Sequence, residues 1–418
     1  MLNNEGKREL AYLIKIDKIE PIEGSDNCEA AYVGGWHVMV RKNSFKAGDL
    51  AVYFEIDSHI DTSKPEFAFL ERKHGNVKTQ KYTFGGKGNF ISQGLLMPFS
   101  DFEVNGAIPT WLAAINLQIA SGAFDLNSDA RFLTEALGVT YASAADNIRK
   151  AKPVDKYKSM GARHPKLFKT RPIRWLMRYN WGRKLLYIFL GRKKKVNKDW
   201  PVGRFPGVAK TDQERVENMP WVLNDKTPFI RTQKCDGSSA TYVLERKPFG
   251  RYEFYVCSRN VRMLKPTQKC FYEDNYYWDA AIKYDIENKM KDYLKNHKEN
   301  TFVCWQGELC APGIQKNPHG LSELHLFLFH MTDSSGRWDI REAAKVWKSY
   351  DMEVVPVEEV EYILPDDMEE FKLSADGLYN PSCCEGKWQQ RREGFVYYST
   401  KDPTFSFKNV SREYLLSH

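Results

Sequence analysis

The sequence predicts an α+β protein with a small β-barrel at its N-terminus, a basic middle segment, and a C-terminal domain of antiparallel sheets with helices. Three observations lead there. Residues 11–99 read as short strands (AYLIKIDKIEPI, AAYVGGWHVMVRK, DLAVYFEID) separated by Gly, Pro and Asn-Asp clusters. From about residue 205 the strand patterns alternate with longer helical ones. Between them, residues 163–198 hold 13 Lys or Arg and no Asp or Glu. The expected domains are 1–104, a mixed linker 105–204, and 205–418.

At 418 residues and 42% hydrophobic content, the chain can build more than one core. MLNNEGKREL lacks the apolar run of a secretory signal, and the apolar stretch Leu185 to Gly191 is too short to span a bilayer. The expectation is a soluble, intracellular, monomeric protein with no membrane partner. Eight cysteines show no C-x-x-C pair and no histidines at zinc-ligand spacing, which points to reduced thiols and away from a structural metal. His319, His325 and His330 likewise lack ligand spacing and read as satisfied or exposed side chains.

The formal charge of +8 comes from the middle segment, and the remainder of the chain is net acidic. Phe168, Trp175, Tyr179, Trp181, Tyr187 and Phe189 interleave with its cations, a pattern suited to phosphates and stacked bases. Arg192, Lys193, Lys194 and Lys195 are its densest cluster and the expected nucleic-acid contacts. A basic linker helix and an anionic membrane surface are the alternatives. GGKG, residues 85–88, reads as a hairpin turn, and FLTEALGV within 105–204 as a short helix ended by Gly138.

In the C-terminal part, Asp279 to His297 places Ile282, Ile286, Met290, Tyr293 and Leu294 on one helical face. Asp339 and Glu342 have capping-box spacing at the start of a second helix. TYVL, YEFYVCS, TFVCWQGEL, LHLFLFHM, GFVYYS and FSFKNV are the strands. Lys234, in TQKCDGSSATYVL, precedes an Asp-Gly turn signal and a strand, and alone it could be a solvated loop cation. Its company raises it. Glu308 lies in one strand, Glu393 opens another, Lys408 lies in the last, and Arg259 and Phe329 lie in YVCSRN and LHLFLFHM. Strand ends converging on one pocket would join two lysines to acids. That set suits phosphoryl chemistry, because carboxylates hold a divalent cation while lysines and arginines neutralise phosphate oxygens.

KCDG, SRN, WQGEL, LFLFHM, EGFVYYS and SFK, in this order, resemble the collinear motifs of the covalent nucleotidyltransferases: RNA ligases, DNA ligases and capping enzymes. The resemblance implies a nucleotidyltransferase domain of ATP-grasp-like antiparallel sheets in which Lys234 attacks the nucleotide α-phosphate. It also implies that Asp236, Glu308 and Glu393 hold Mg²⁺ or Mn²⁺ through waters, that Arg259 contacts ribose or phosphate with Asp236 near the ribose, and that Phe329 stacks on the purine. Lys408 would bind the α-phosphate, Gln233 would face the base edge, and Gly237 belongs to the nucleotide loop. Only ten residues follow Lys408, too few for the C-terminal OB domain of DNA ligases and capping enzymes. Residues 11–99 instead resemble the N-terminal OB domain of one group of ATP-dependent RNA ligases, and KTDQERVEN its segment before the nucleophile, where Arg215 would reach the triphosphate.

That resemblance implies a ligase joining 3′-OH and 5′-phosphate RNA ends through lysyl-AMP and RNA-adenylate, in RNA repair. An RNA-binding protein with an inactive nucleotidyltransferase domain is one alternative, and a DNA ligase or GTP-dependent enzyme another. Ser406 and His330 stand where related ligases often carry Lys and Asp, and Glu385-Gly386 competes with Glu393-Gly394 for one motif. A β-rich run follows only Glu393.

Overall fold

In the N-terminal domain, strands Ala11–Lys15, Leu50–Phe54 and Leu95–Met97 form one antiparallel sheet, and Lys18–Pro21, Cys28–Val33 and Trp36–Arg41 a second. The computed structural model describes residues 1–5, 7–84, 89–103, 106–141, 165–168, 170–190, 208, 210–263, 265, 275–385 and 390–417. Side chains alternate faces along a strand. Tyr12, Ala51 and Tyr53 therefore meet Val33, Trp36 and Val38 in one core, while Leu13, Val52 and Phe54 turn the other way. That second face is covered by Phe67 and Leu70 of the 3₁₀ helix Pro65–Lys73, by Leu112 and Ile115 of helix Thr110–Ala120, and by Leu133, Leu137 and Val139.

The expected boundary at residue 104 falls inside this core. Residues 106–141 are not a linker but the helical cover of the first domain, needed because the sheet is apolar on both faces. The GGKG turn and Arg192 to Lys195 lie outside the described residues. Among the described residues, no helix is long and apolar enough to cross a membrane.

Among the described residues, the C-terminal domain has two sheets. Six antiparallel strands run in the order Arg262–Met263, Arg251–Ser258, Ser238–Lys247, Phe302–Cys310, His325–Asp333, Gly336–Arg337. Five run Glu214–Arg215, Ser406–Val410, Gly394–Ser399, Phe229–Gln233, Val357–Tyr362, with only the first pair parallel. Leu326 and Leu328 face the helices on the outer side of the first sheet, where Met290, Tyr293, Leu294 and Trp347 pack. Phe327 and Phe329 face inward, toward Val396 and Tyr398 of the second sheet. This period of two delivers Phe329 to the space between the sheets.

The helix expected from Asp279 to His297 is two helices, Tyr276–Lys283 and Ile286–Asn296. Asp285 breaks it in the left-handed region at φ 49°. The first helix is thereby turned to bury Trp278, Ala280 and Ala281, leaving Ile282, expected on the buried face, 67% exposed.

Asn218 ties the domains together. Its Nδ2 donates to Glu55 Oε1 and Glu214 Oε1, both at 2.8 Å, and its Oδ1 accepts from Tyr12 Oη at 3.0 Å and Trp36 Nε1 at 2.7 Å. Glu55 is fully buried; burial opposes its ionisation, but the N-terminal amine and Arg8, at 2.7 Å, outweigh that and hold its carboxyl well below the usual range. Asn218→Ala strips partners from groups in this junction. At 1–3 kcal/mol for each group left unsatisfied, we expect a loss of about 3 kcal/mol, seen as a lower urea midpoint of unfolding.

Candidate active site

Lys234 sits where the chain crosses between the sheets: Phe229–Gln233 belongs to the five-stranded sheet and Ser238–Lys247 to the six-stranded one. Its N–H donates to Gly394 O at 3.0 Å, and its Nζ donates to Glu393 Oε2 at 2.7 Å. Two glycines make this convergence possible. A Cβ on Gly394, at φ 140°, would come within 2.2 Å of Asn409 O, and one on Gly237 within 2.2 Å of Leu309 O. The Gly237 N–H also donates to the Glu308 carboxylate.

Three acids therefore surround one amine. Burial favours the neutral form of Lys234, but Glu393, Glu308 and Asp236 outweigh it and push its pKa above the ordinary lysine value. The resting amine is an ammonium ion and not yet a nucleophile. Glu308 shows the complementary effect: burial first, then Glu393 and Asp236, push its pKa up to about 8 against the pull of Lys234. A site holding more carboxylate than cation fits a further divalent cation, for which Asp236, Glu308 and Glu393 would be the oxygen donors.

Lys234, Glu308 and Phe329 line one pocket of about 400 Å³ with Gln233, Thr211, Val396 and Tyr398. That volume includes the open solvent at the pocket's mouth. Half-buried Phe329 offers the pocket an aromatic wall. Gln233 lines it too, but its amide is held at both ends, donating to Gly394 O at 2.9 Å and accepting from Asn380 N–H at 3.1 Å.

The cations gather on one side. Arg215 and Lys408 are register partners on adjacent strands, and Arg215 reaches across to Asp57 of the first domain at 3.2 Å. Arg259 is ion-paired with Asp212. Lys408 is driven down to about 7, mainly by burial and then by Arg8 and Arg215, with Asp212 opposing. An anion arriving beside Lys408 would restore its full charge. Sequence motifs missed four participants: Arg8, Asp212, His319 and Tyr414. Tyr414 Oη donates to Asp236 Oδ2 at 2.7 Å, and the Asp236 N–H donates to His319 Nε2 at 3.1 Å. Asp212 lies within KTDQERVEN, three residues before Arg215, while Arg8, His319 and Tyr414 come from distant parts of the chain with no local signal to mark them.

His319 also belongs to a group with Cys383 and Cys384 whose ligand atoms lie within 4.8 Å of one another. Because Nε2 accepts from Asp236, a neutral ring carries its proton on Nδ1, the nitrogen 3.9 Å from Cys384 Sγ. This tautomer suits His319 to positioning Asp236 and not to ligating a metal through Nδ1. His330, at the position where Asp was noted in related ligases, is buried and held neutral, its pKa pushed far down by burial and then Arg337. Glu385 does not compete with Glu393: it accepts from Ser322 N–H at 2.6 Å.

Residues 227–410 match the family model described as RNA ligase, and residues 10–99 match one described as an OB-fold domain. No curated protein sequence matches the chain. Among solved structures, a Naegleria gruberi RNA ligase variant with AMP and Mn is 23% identical over 98% of this chain and 99% of that one, with a TM-score of 0.66. The same ligase with PPi is 24% identical over 99% of both chains at 0.66, and another variant with ATP and Mn is 24% identical over 98% and 99% at 0.66. At such identities the likeness establishes a shared fold. Residues 227–410 thus form a domain of the RNA ligase family, preceded by an OB-fold domain at residues 10–99.

Proposed function

We propose that the protein is an ATP-dependent RNA ligase that joins a 3′-OH end to a 5′-phosphate end, a chemistry of RNA repair. The observation that carries this reading is Lys234 Nζ held 2.7 Å from Glu393 in a pocket it shares with Glu308 and Phe329. In the first step Nζ, once deprotonated, attacks the α-phosphorus of ATP; the N–P bond forms, the bond to the bridging oxygen breaks, and pyrophosphate leaves. An oxygen of the RNA 5′-phosphate then attacks that phosphorus; a P–O–P link to AMP forms, the N–P bond breaks, and the Lys234 amine is released. In the last step the 3′-OH attacks that activated phosphate and AMP departs.

Phe329 stacks on adenine, while Gln233 and Gly237 shape the nucleotide loop. Arg259 and Asp236 contact ribose, and Lys408 and Arg215 bind phosphate oxygens. For these roles Arg215 and Arg259 exchange an aspartate for the nucleotide, since both are ion-paired here. Mg²⁺ or Mn²⁺ held through waters by Asp236, Glu308 and Glu393 would offset the carboxylates that stabilise the Lys234 ammonium and would neutralise phosphate charge. The Naegleria ligase structures with ATP and Mn, AMP and Mn, and PPi support this cofactor pair and this first step.

The test is to incubate the purified protein with α-labelled ATP and Mn²⁺ or Mg²⁺, and with GTP in parallel, then denature it. We expect acid-labile label on the protein with ATP alone. A folded protein that carries no AMP by mass and takes no label from any nucleotide would overturn the reading in favour of an RNA-binding protein.

A further inference from the structure

Helices Arg171–Leu176 and Asn180–Leu190 form a close hairpin: a Cβ on Gly182 would come within 2.2 Å of Leu176 O, and Arg183 Nε donates to Met177 O at 2.6 Å. Leu186 is buried, and Ile173 and Leu176 are partly so. Three large rings are not. Trp175, Tyr179 and Trp181 are 51%, 44% and 56% exposed, yet they touch one another. The Tyr179 and Trp181 ring centroids are 6.2 Å apart with planes inclined by 24°, and Trp175 meets Tyr179 edge-on at 5.2 Å. Exposed Arg171, Arg174, Arg178 and Lys184 stand among them.

We propose that Trp175, Tyr179 and Trp181 form a stacking platform for an unpaired stretch of substrate RNA, whose phosphates lie against the neighbouring arginines. This rests on the ligase reading for the identity of the nucleic acid, but not on its chemistry. A cluster of rings in water is costly unless something covers it. The surrounding charge selects what: 13 cations without one acid between residues 163 and 198 attract a polyanion. Unpaired bases offer flat apolar faces alternating with phosphates at the spacing of single nucleotides, which matches rings interleaved with guanidinium groups. A duplex hides its bases from such a platform. A lipid surface would call for a continuous outward aliphatic face, and here Leu186 is buried, Ile173 and Leu176 are partly so, and among residues 171–186 Leu185 is the one exposed leucine or isoleucine, at 42%.

The test uses the full chain with the combined substitution Trp175→Ala/Trp181→Ala, the conservative Trp175→Phe/Trp181→Phe, and Tyr179→Ala alone. Binding of a fluorescent single-stranded RNA is measured by anisotropy across a salt series, alongside label uptake from ATP. The alanine pair is expected to weaken RNA binding at least about tenfold while keeping a steep salt slope, with the phenylalanine pair recovering most of the loss. Label uptake should stay within about twofold of the unsubstituted protein, reporting an intact catalytic domain. Tyr179→Ala gives the reading if the double substitution does not fold. Unchanged RNA affinity in a folded variant overturns the proposal. So does binding to vesicles of phosphatidylserine and phosphatidylcholine that the alanine pair abolishes while RNA affinity stays put. A protein that takes no label but loses RNA affinity on these substitutions would keep the platform and overturn only the ligase reading.

Discussion

Lys234→Arg is expected to take up no AMP from ATP, a loss of about 10⁴-fold or more, although it keeps the positive charge and can keep the contact to Glu393. The reason lies in proton affinity. Lysine can lose its proton once the three surrounding carboxylates are offset; a guanidinium, with a pKa above 12, does not, and so has no lone pair for phosphorus. Lys234→Ala should fail equally, for want of any nucleophile, and should also leave Glu393, Glu308 and Asp236 without their shared cation. The two substitutions then part company downstream. Given RNA already carrying a 5′-adenylate, the arginine protein should retain more sealing than the alanine protein, because joining that end makes no N–P bond. Label on the arginine protein would remove Lys234 from the role of nucleophile.

Most of that constellation could be read in the sequence because each element carries its own local signal. The strand TFVCWQGEL brings Glu308, and GFVYYS fixes Glu393 just ahead of it. LHLFLFHM alternates so that Phe329 shares a face with Phe327. What local pattern could not supply was contact between distant segments. The cover formed by Leu112, Ile115 and Leu137 looked like a linker because its partners, Leu13, Val52 and Phe54, lie far back in the chain. The helix break at Asp285 was invisible because the apolar stripe runs through it. Asn218, Tyr414 and His319 act through hydrogen bonds that exist only after the sheets have assembled. Arg215 illustrates the limit from the other side: its motif was recognisable, but its pairing with Asp57 across the domain junction was not.

The acid cluster leads to a second large effect, on metal binding. Burial, then Glu393 and Asp236, push the Glu308 carboxyl up to about 8, which favours its protonated form at neutral pH in the metal-free protein, and a cation needs it ionised. Cation binding must therefore expel that proton. The sign follows: below about pH 8 the apparent Mn²⁺ affinity should rise with pH, approaching tenfold per unit, and should flatten above it. Calorimetry in buffers of different ionisation heat should register about one proton released per Mn²⁺ from Glu308 at pH 7, and more if Lys234 gives up its proton as well. Glu308→Gln should bind Mn²⁺ about 100-fold more weakly and lose most of the slope, because the amide neither ionises nor supplies a charged donor. Label uptake from ATP should then recover only at high Mn²⁺ and high pH, where the Lys234 ammonium can lose its proton with less help. An affinity in the unsubstituted protein that is flat between pH 6 and 8 would mean that Glu308 is already ionised and that the ammonium of Lys234 alone balances the three acids.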